Sequence, residues 1–117
     1  MAEHNALGIE GEKMAVAWLE NRGYEIMQRN WRYSYYEIDI IALKGAFLHF
    51  IEIKTRSDQR FGLPEDSVGK EKMKRLRRAA NNYLFLHPGH KWIQFDILSI
   101  TMMKNEEPEY FLLEDIS

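Results

Sequence analysis

The sequence predicts an α/β (α+β) fold: a single domain over residues 1–117, with a central mixed sheet flanked by helices. Three observations carry this. A chain of this length buries about 60–70% of its unfolded surface and needs no metal or disulfide staple. Its apolar periodicity switches between helical and alternating patterns in the order α-β-β-β-α-β-β. The second and third strands carry apolar residues on both faces, as strands inside a covered sheet do.

The elements follow in order. From Ala6 to Asn21, Leu7, Met14, Ala15, Trp18 and Leu19 recur at helical spacing, and Asn21-Arg22-Gly23 stops the helix. Tyr24 to Trp31 is rich in aromatic and branched residues and reads as a strand. Tyr35 to Leu43 is a second strand, Lys44-Gly45 a turn, and Ala46 to Lys54 a third strand. Thr55 to Ser67 is a loop with Gly62 and Pro64. Val68 to Leu86 is helical and ends at Pro88-Gly89. Trp92 to Thr101 and Glu109 to Leu113 complete the sheet.

Composition narrows the class. At 45% hydrophobic and 13% aromatic, the chain is globular rather than disordered. The absence of cysteine removes disulfides, Cys-ligated zinc, iron–sulfur clusters and thiol nucleophiles. The polar start MAEHNALGIEGEK is no signal peptide, and no window approaches ~18 uncharged apolar residues. The expectation is a cytoplasmic protein.

The hairpin YYEIDIIALKGAFLHFIEIKTR holds the strongest constellation. With Lys44-Gly45 as a two-residue turn, Asp39 faces Phe50 and Glu37 faces Glu52. Glu37, Asp39, Glu52 and Lys54 then share one face. Asp39 and Glu52 are diagonal neighbours about 7 Å apart, a spacing that holds a hard divalent cation. Both acids lie among isoleucines, where an unpaired carboxylate costs several kcal/mol. The alternative is a structural Glu–Lys pair at the solvent end of the sheet. Glu12 precedes Ala15, Val16 and Leu19 at helical spacing and lies near the apolar stripe. It either joins the hairpin acids or interacts with the helix dipole.

Charge is distributed unevenly. Residues 70–91 carry seven bases (Lys70, Lys72, Lys74, Arg75, Arg77, Arg78, Lys91) and one acid, a sum of +6 within a chain of net −2. With Arg56 and Arg60 on the preceding loop, this stripe is a candidate phosphate-backbone surface. The alternative is a solvated helix face. Met73, Leu76, Ala80, Tyr83 and Leu84 form its apolar side. The three tryptophans and His49 read as packing residues, and the acidic tail as a solvated edge strand.

These residues resemble a family. GIEGEKMAVAWLENRGY, RNWR, EIDIIA, FIEIKTR and AANNYL together are similar to the YraN-like bacterial proteins. Those in turn resemble the PD-(D/E)xK, restriction-endonuclease-like superfamily, Holliday-junction resolvases in particular. The resemblance spans about Asn5 to Leu113. It implies an αβββαβ core, with Asp39 as the metal-binding Asp, Glu52 as the (D/E) of the motif, Lys54 as its lysine and Glu12 as the helix-one acid. It further implies Mg²⁺ or Mn²⁺ held by Asp39, Glu52 and the Ile53 carbonyl, and hydrolysis of phosphodiester bonds in structured or branched DNA. A homodimer giving two cuts and a DNA-processing protein partner fit the same picture. A nuclease-like module that binds nucleic acid without cutting is the alternative. Tyr36 stands where the family has Gly, and Ile precedes Asp39 where the superfamily motif has Pro; the hairpin register above turns Tyr36 away from the acids.

Overall fold

The computed structural model describes residues 6–57 and 69–116. The elements are α1 (Ala6–Asn21), β1 (Glu25–Tyr33), β2 (Tyr36–Lys44), β3 (Phe47–Arg56), α2 (Lys70–Leu86), β4 (Trp92–Thr101) and β5 (Glu109–Leu113). Their order is the one the periodicity predicts. Five strands form one mixed sheet in the order β1-β2-β3-β4-β5. Every neighbouring pair is antiparallel except β3 and β4, which run parallel with α2 between them in the chain. A parallel pair needs such a crossover, whereas antiparallel pairs need only a turn.

The two helices cover opposite faces. Met73, Leu76, Ala79, Ala80 and Tyr83 of α2 pack with Ile41, Leu48, Phe50 and Phe95. Ala15 and Leu19 of α1 pack with Ile40, Ala42, Ile51, Leu98 and Ile100. Ile40, Ile41, Ala42 and Ile51 are therefore all fully buried, as a double-covered sheet requires. No helix among the described residues is long and apolar enough to cross a membrane.

Local chemistry sets the boundaries. Helix α1 ends where Gly23 adopts φ +92°, which lets the Tyr24 N–H return to the Leu19 carbonyl at 3.0 Å. Helix α2 begins at Lys70 with Gly69 as its N-cap, and the predicted start at Val68 lies outside the described residues. The β2–β3 turn is Gly45-Ala46 rather than Lys44-Gly45, with Gly45 at φ +61°. Lys44 consequently faces Phe47, and Phe50 faces Ile41 rather than Asp39. The loop keeps two residues, so the pairing slides by an even step and each side chain keeps its face.

Gly11 sets the distance of α1 from the sheet. A Cβ built on Gly11 would lie 2.3 Å from Thr55 Oγ1 and 3.2 Å from Thr55 Cβ. Threonine is stiff at χ1, and its Cβ, fixed to the backbone, is itself within the tight range. Gly11→Ala is expected to lower stability by about 1–3 kcal/mol. Thr55→Ala in the same chain should restore part of the loss, which urea unfolding of both variants measures.

Candidate functional site

Strand β2 does not alternate regularly. Ile38 and Ile40 are two residues apart, so a regular strand would point both to one side. Instead Ile38 packs with the α2 cluster and Ile40 with the α1 cluster. The break falls on Asp39. Across from it, the pairs Arg29↔Ile40 and Trp31↔Ile38 bracket Asn30, which has φ +53°. The β2–β3 ladder also ends here, with Ile40↔Ile51 as its last pair. The Asp39 carboxylate fills the place of the next rung: its Oδ2 accepts the Ile53 N–H at 2.8 Å. One more row of the slid register sets Asp39 across from Glu52 rather than diagonal to it.

Several negative charges press on Asp39. Burial pushes its carboxyl up to about 7, the Glu52 carboxylate adds to this, the Ile53 N–H opposes it, and Glu37 and Glu12 raise it further. Glu52 is buried and carries two lysines. Lys72 Nζ contacts Glu52 Oε2, and Lys54 Nζ lies 3.7 Å from the same atom. Burial draws the Lys54 ammonium down, and the neighbouring Lys72 charge lowers it more. For Lys72 burial acts downward too, but Glu52 more than offsets it and the net direction is up.

Asp39, Glu52 and Lys72 line a cavity of about 270 Å³ together with Glu37, Tyr36 and Arg75. Lys72 is thus part of the acid site, not of the exposed basic stripe where its spacing placed it. Glu37 is a third acid there. Its Oε2 lies 3.8 Å from Arg32 Nε, while its buried Oε1 has no hydrogen-bond partner. Tyr36 also lines the cavity, which corrects the expectation that it points away from the acids. Glu12 is shielded as predicted, but Arg29 Nη2 and Asn30 Nδ2 hold its Oε1 at 3.2 and 3.0 Å. It is near enough to act on Asp39 electrostatically, yet Glu12, Asp39 and Glu52 do not gather their ligand atoms into one tight group. An all-oxygen donor set, an orphaned buried carboxylate oxygen and mutually repelling acids fit a hard divalent cation.

The predicted phosphate-binding residues divide. Lys70, Lys74, Arg75 and Arg78 are exposed along α2, and Arg78 Nη1 donates to the Tyr36 hydroxyl at 3.4 Å. Arg56 is half-buried at the end of β3, and Arg60 lies outside the described residues. Other side chains differ from expectation. Trp92 is 57% exposed rather than packed. The tail is more than a solvated edge: the Asp115 N–H donates to Asp96 Oδ1 at 2.9 Å.

Sequence reasoning missed a polar cluster under α1. His49 Nδ1 lies 2.7 Å from Asp96 Oδ2, both residues are buried, and Gln94 Nε2 donates to Asp96 Oδ1 at 3.0 Å. With Glu114 they form the one group of three histidine or acid side chains, among the described residues, whose ligand atoms lie within 4.8 Å of one another. Residues 49 and 96 are far apart in sequence, and only the parallel β3–β4 register brings them together.

The fold and site define a class: an α+β domain with acids and lysines gathered where two central strands part. The chain also belongs to a known family. Residues 11–100 match the uncharacterised protein family UPF0102. The chain is 47% identical over 100 residues to a UPF0102 protein of Bacteroides thetaiotaomicron, covering 86% of this chain and 83% of that one. It is 44% identical over 109 residues to a relative in Chlorobium phaeobacteroides, covering 91% and 86%. A relative in Mycolicibacterium vanbaalenii is 39% identical over 105 residues, covering 88% and 86%. The matched segment runs from the glycine beside Thr55 to the end of β4 and contains every acid of the cavity.

Two measurements test this electrostatic picture. The Asp39 carboxyl, at about 7 in the fold against 3.8 for the ordinary group, keeps its proton longer when folded. Folding therefore takes up protons between those values, and stability of the metal-free protein falls as pH rises through them. Asp39→Asn is expected to flatten that slope, measured by urea unfolding at about pH 5 and about pH 8. Asp96→Ala leaves His49, Gln94 and the Asp115 N–H without their acceptor. It is expected to cost roughly 3–5 kcal/mol by the same method, against under about 1 kcal/mol for Glu114→Gln at the exposed rim.

Proposed function

We propose that this protein is a metal-dependent nuclease of the PD-(D/E)xK type that hydrolyses phosphodiester bonds in structured or branched DNA. The observation that carries the reading is the meeting of Asp39, Glu52, Lys72 and Arg75 in one cavity, with Lys54 3.7 Å from the Glu52 carboxylate. Asp39, Glu52 and the Ile53 carbonyl would hold Mg²⁺ or Mn²⁺, which when bound supplies Lewis-acid polarisation of a phosphate oxygen. Lys54 orients the attacking water and, as the neutral amine that burial and the Lys72 charge favour, accepts its proton to become the ammonium. Lys72 and Arg75 set positive charge against the phosphate as its own charge grows. Glu12 positions water from the α1 side, with Arg29 and Asn30 fixing its carboxylate. Lys70, Lys74 and Arg78 carry the backbone along α2, with Arg56 at the end of β3 and Arg60, outside the described residues, adding to the same charge.

A second reading has an observation of its own. Lys54 and Lys72 already balance Glu52 without a cation, as they would in a module that binds DNA but does not cut it. A cytoplasmic DNA-processing partner, or a homodimer, suits either reading. Metal-dependent turnover separates them.

The test begins with melting temperature in added Ca²⁺, Mg²⁺ or Mn²⁺, followed by cleavage of branched and linear DNA. Wild type should gain stability from the metals, and Asp39→Ala should not. Asp39→Ala and Glu52→Ala should abolish cleavage while most DNA binding remains. Lys54→Ala should slow cleavage by roughly 10²–10⁴-fold. Full cleavage by both acid variants would sink these assignments.

A further inference from the structure

Next to the acid cavity lies a second groove, walled by aromatic rings. The β1–β2 hairpin ends on the pair Tyr33↔Tyr36, and its tip turns through Ser34 at φ +59°. That turn lifts Tyr35 into solvent at 97% exposure. Tyr33 is 43% exposed, and Phe85, in the last turn of α2, is 83% exposed. Large rings so open to water are costly and call for a partner. Tyr33, Tyr36, Arg78, Asn81 and Phe85 line a cavity of about 660 Å³. Tyr36 is also a wall of the acid cavity, together with Tyr35, so the two spaces meet at that ring. Arg75 stands in one and Arg78, one helical turn on, stands in the other.

We propose that this groove is a stacking platform for unpaired bases, so that the DNA strand entering the acid site is single-stranded beside the phosphate to be cut. The inference rests on the nuclease reading above and adds its substrate class. The argument is one of exposed faces. In a duplex each base is covered above and below by its neighbours, and offers no face to a protein ring. An unpaired base does, and aromatic rings interleaved with arginine are what a single strand uses, bases on rings and phosphates on guanidinium groups. Here Tyr33, Tyr36 and Phe85 supply rings, while Arg75 and Arg78 mark a backbone path leading to Asp39 and Glu52. The asparagine pair Asn81-Asn82 lines the same groove and offers hydrogen bonds to a base edge.

The test measures DNA binding by fluorescence anisotropy at low salt in EDTA, where nothing is cut. Oligonucleotides of equal length are used: unpaired, fully paired, and paired with an unpaired tail. Wild type should prefer the unpaired and tailed forms. Phe85→Ala and Tyr33→Ala, both at exposed positions of the groove, should each lose roughly 5- to 100-fold on those forms and little on the duplex. Phe111→Ala, an exposed ring on β5, should keep the preference. Equal affinity for paired and unpaired DNA would overturn the platform, as would unchanged binding by Phe85→Ala and Tyr33→Ala. Cleavage in Mg²⁺ on the same substrates separates the two proposals. Binding preference without metal-dependent cutting supports the platform and defeats the nuclease. Cutting of plain duplex, equally by wild type and both ring variants, supports the nuclease and defeats the platform. No DNA binding by any form defeats both.

Discussion

The site depends on one hydrogen bond: the Ile53 N–H donated to the Asp39 carboxylate at 2.8 Å. At that row a side chain takes the place of a backbone rung. The strands can part without leaving a buried donor unpaired, which would itself cost about 1–3 kcal/mol. Because the bond fixes Asp39 in the gap, its charge is felt from both faces. Glu12 acts on it from the α1 side, Glu52 and Glu37 from the side of α2. The irregular backbone at Asn30 and the change of face between Ile38 and Ile40 are the local adjustments that accommodate it.

A cluster of acids in a covered sheet must be balanced. In this fold the balance comes from elements remote in sequence. Lys72 reaches Glu52 from α2, Arg29 and Asn30 reach Glu12 from β1, and Arg32 approaches Glu37. Lys54 and Arg32 are the near neighbours of their partners in the chain. Two lysines, Lys54 and Lys72, therefore share the one buried carboxylate of Glu52. Removing one changes the charge state of the whole cavity, not one contact.

Most of the fold was legible in the sequence, because helical and strand periodicities are local. Ala15 and Leu19, Ile40 and Ile51, Met73 and Tyr83 all lie in the core that their spacing predicts. The shared face of Asp39 and Glu52 was legible too, since an even slip of the hairpin preserves sidedness. What was not legible depends on contacts across the molecule. The turn moved by one residue because Gly45 takes the positive φ as its first position. The role of Lys72 follows from where α2 crosses β3, which no helical wheel records. Tyr36 was misplaced because strict alternation fails at Asp39. The His49–Asp96 pair needs the parallel register, which the sequence leaves open.

Chain order and sheet order coincide from β1 to β5. During synthesis each strand thus meets its neighbour as soon as it emerges, and the β1–β3 meander forms from local turns alone. Only the β3–β4 pairing waits for a crossover. Lys72 and Arg75 belong to that crossover, so the positive charge that answers Glu37, Asp39 and Glu52 comes from the element that links the two parallel strands. The same helix that completes the cavity also relieves the repulsion within it, which ties docking of α2 to closure of the site.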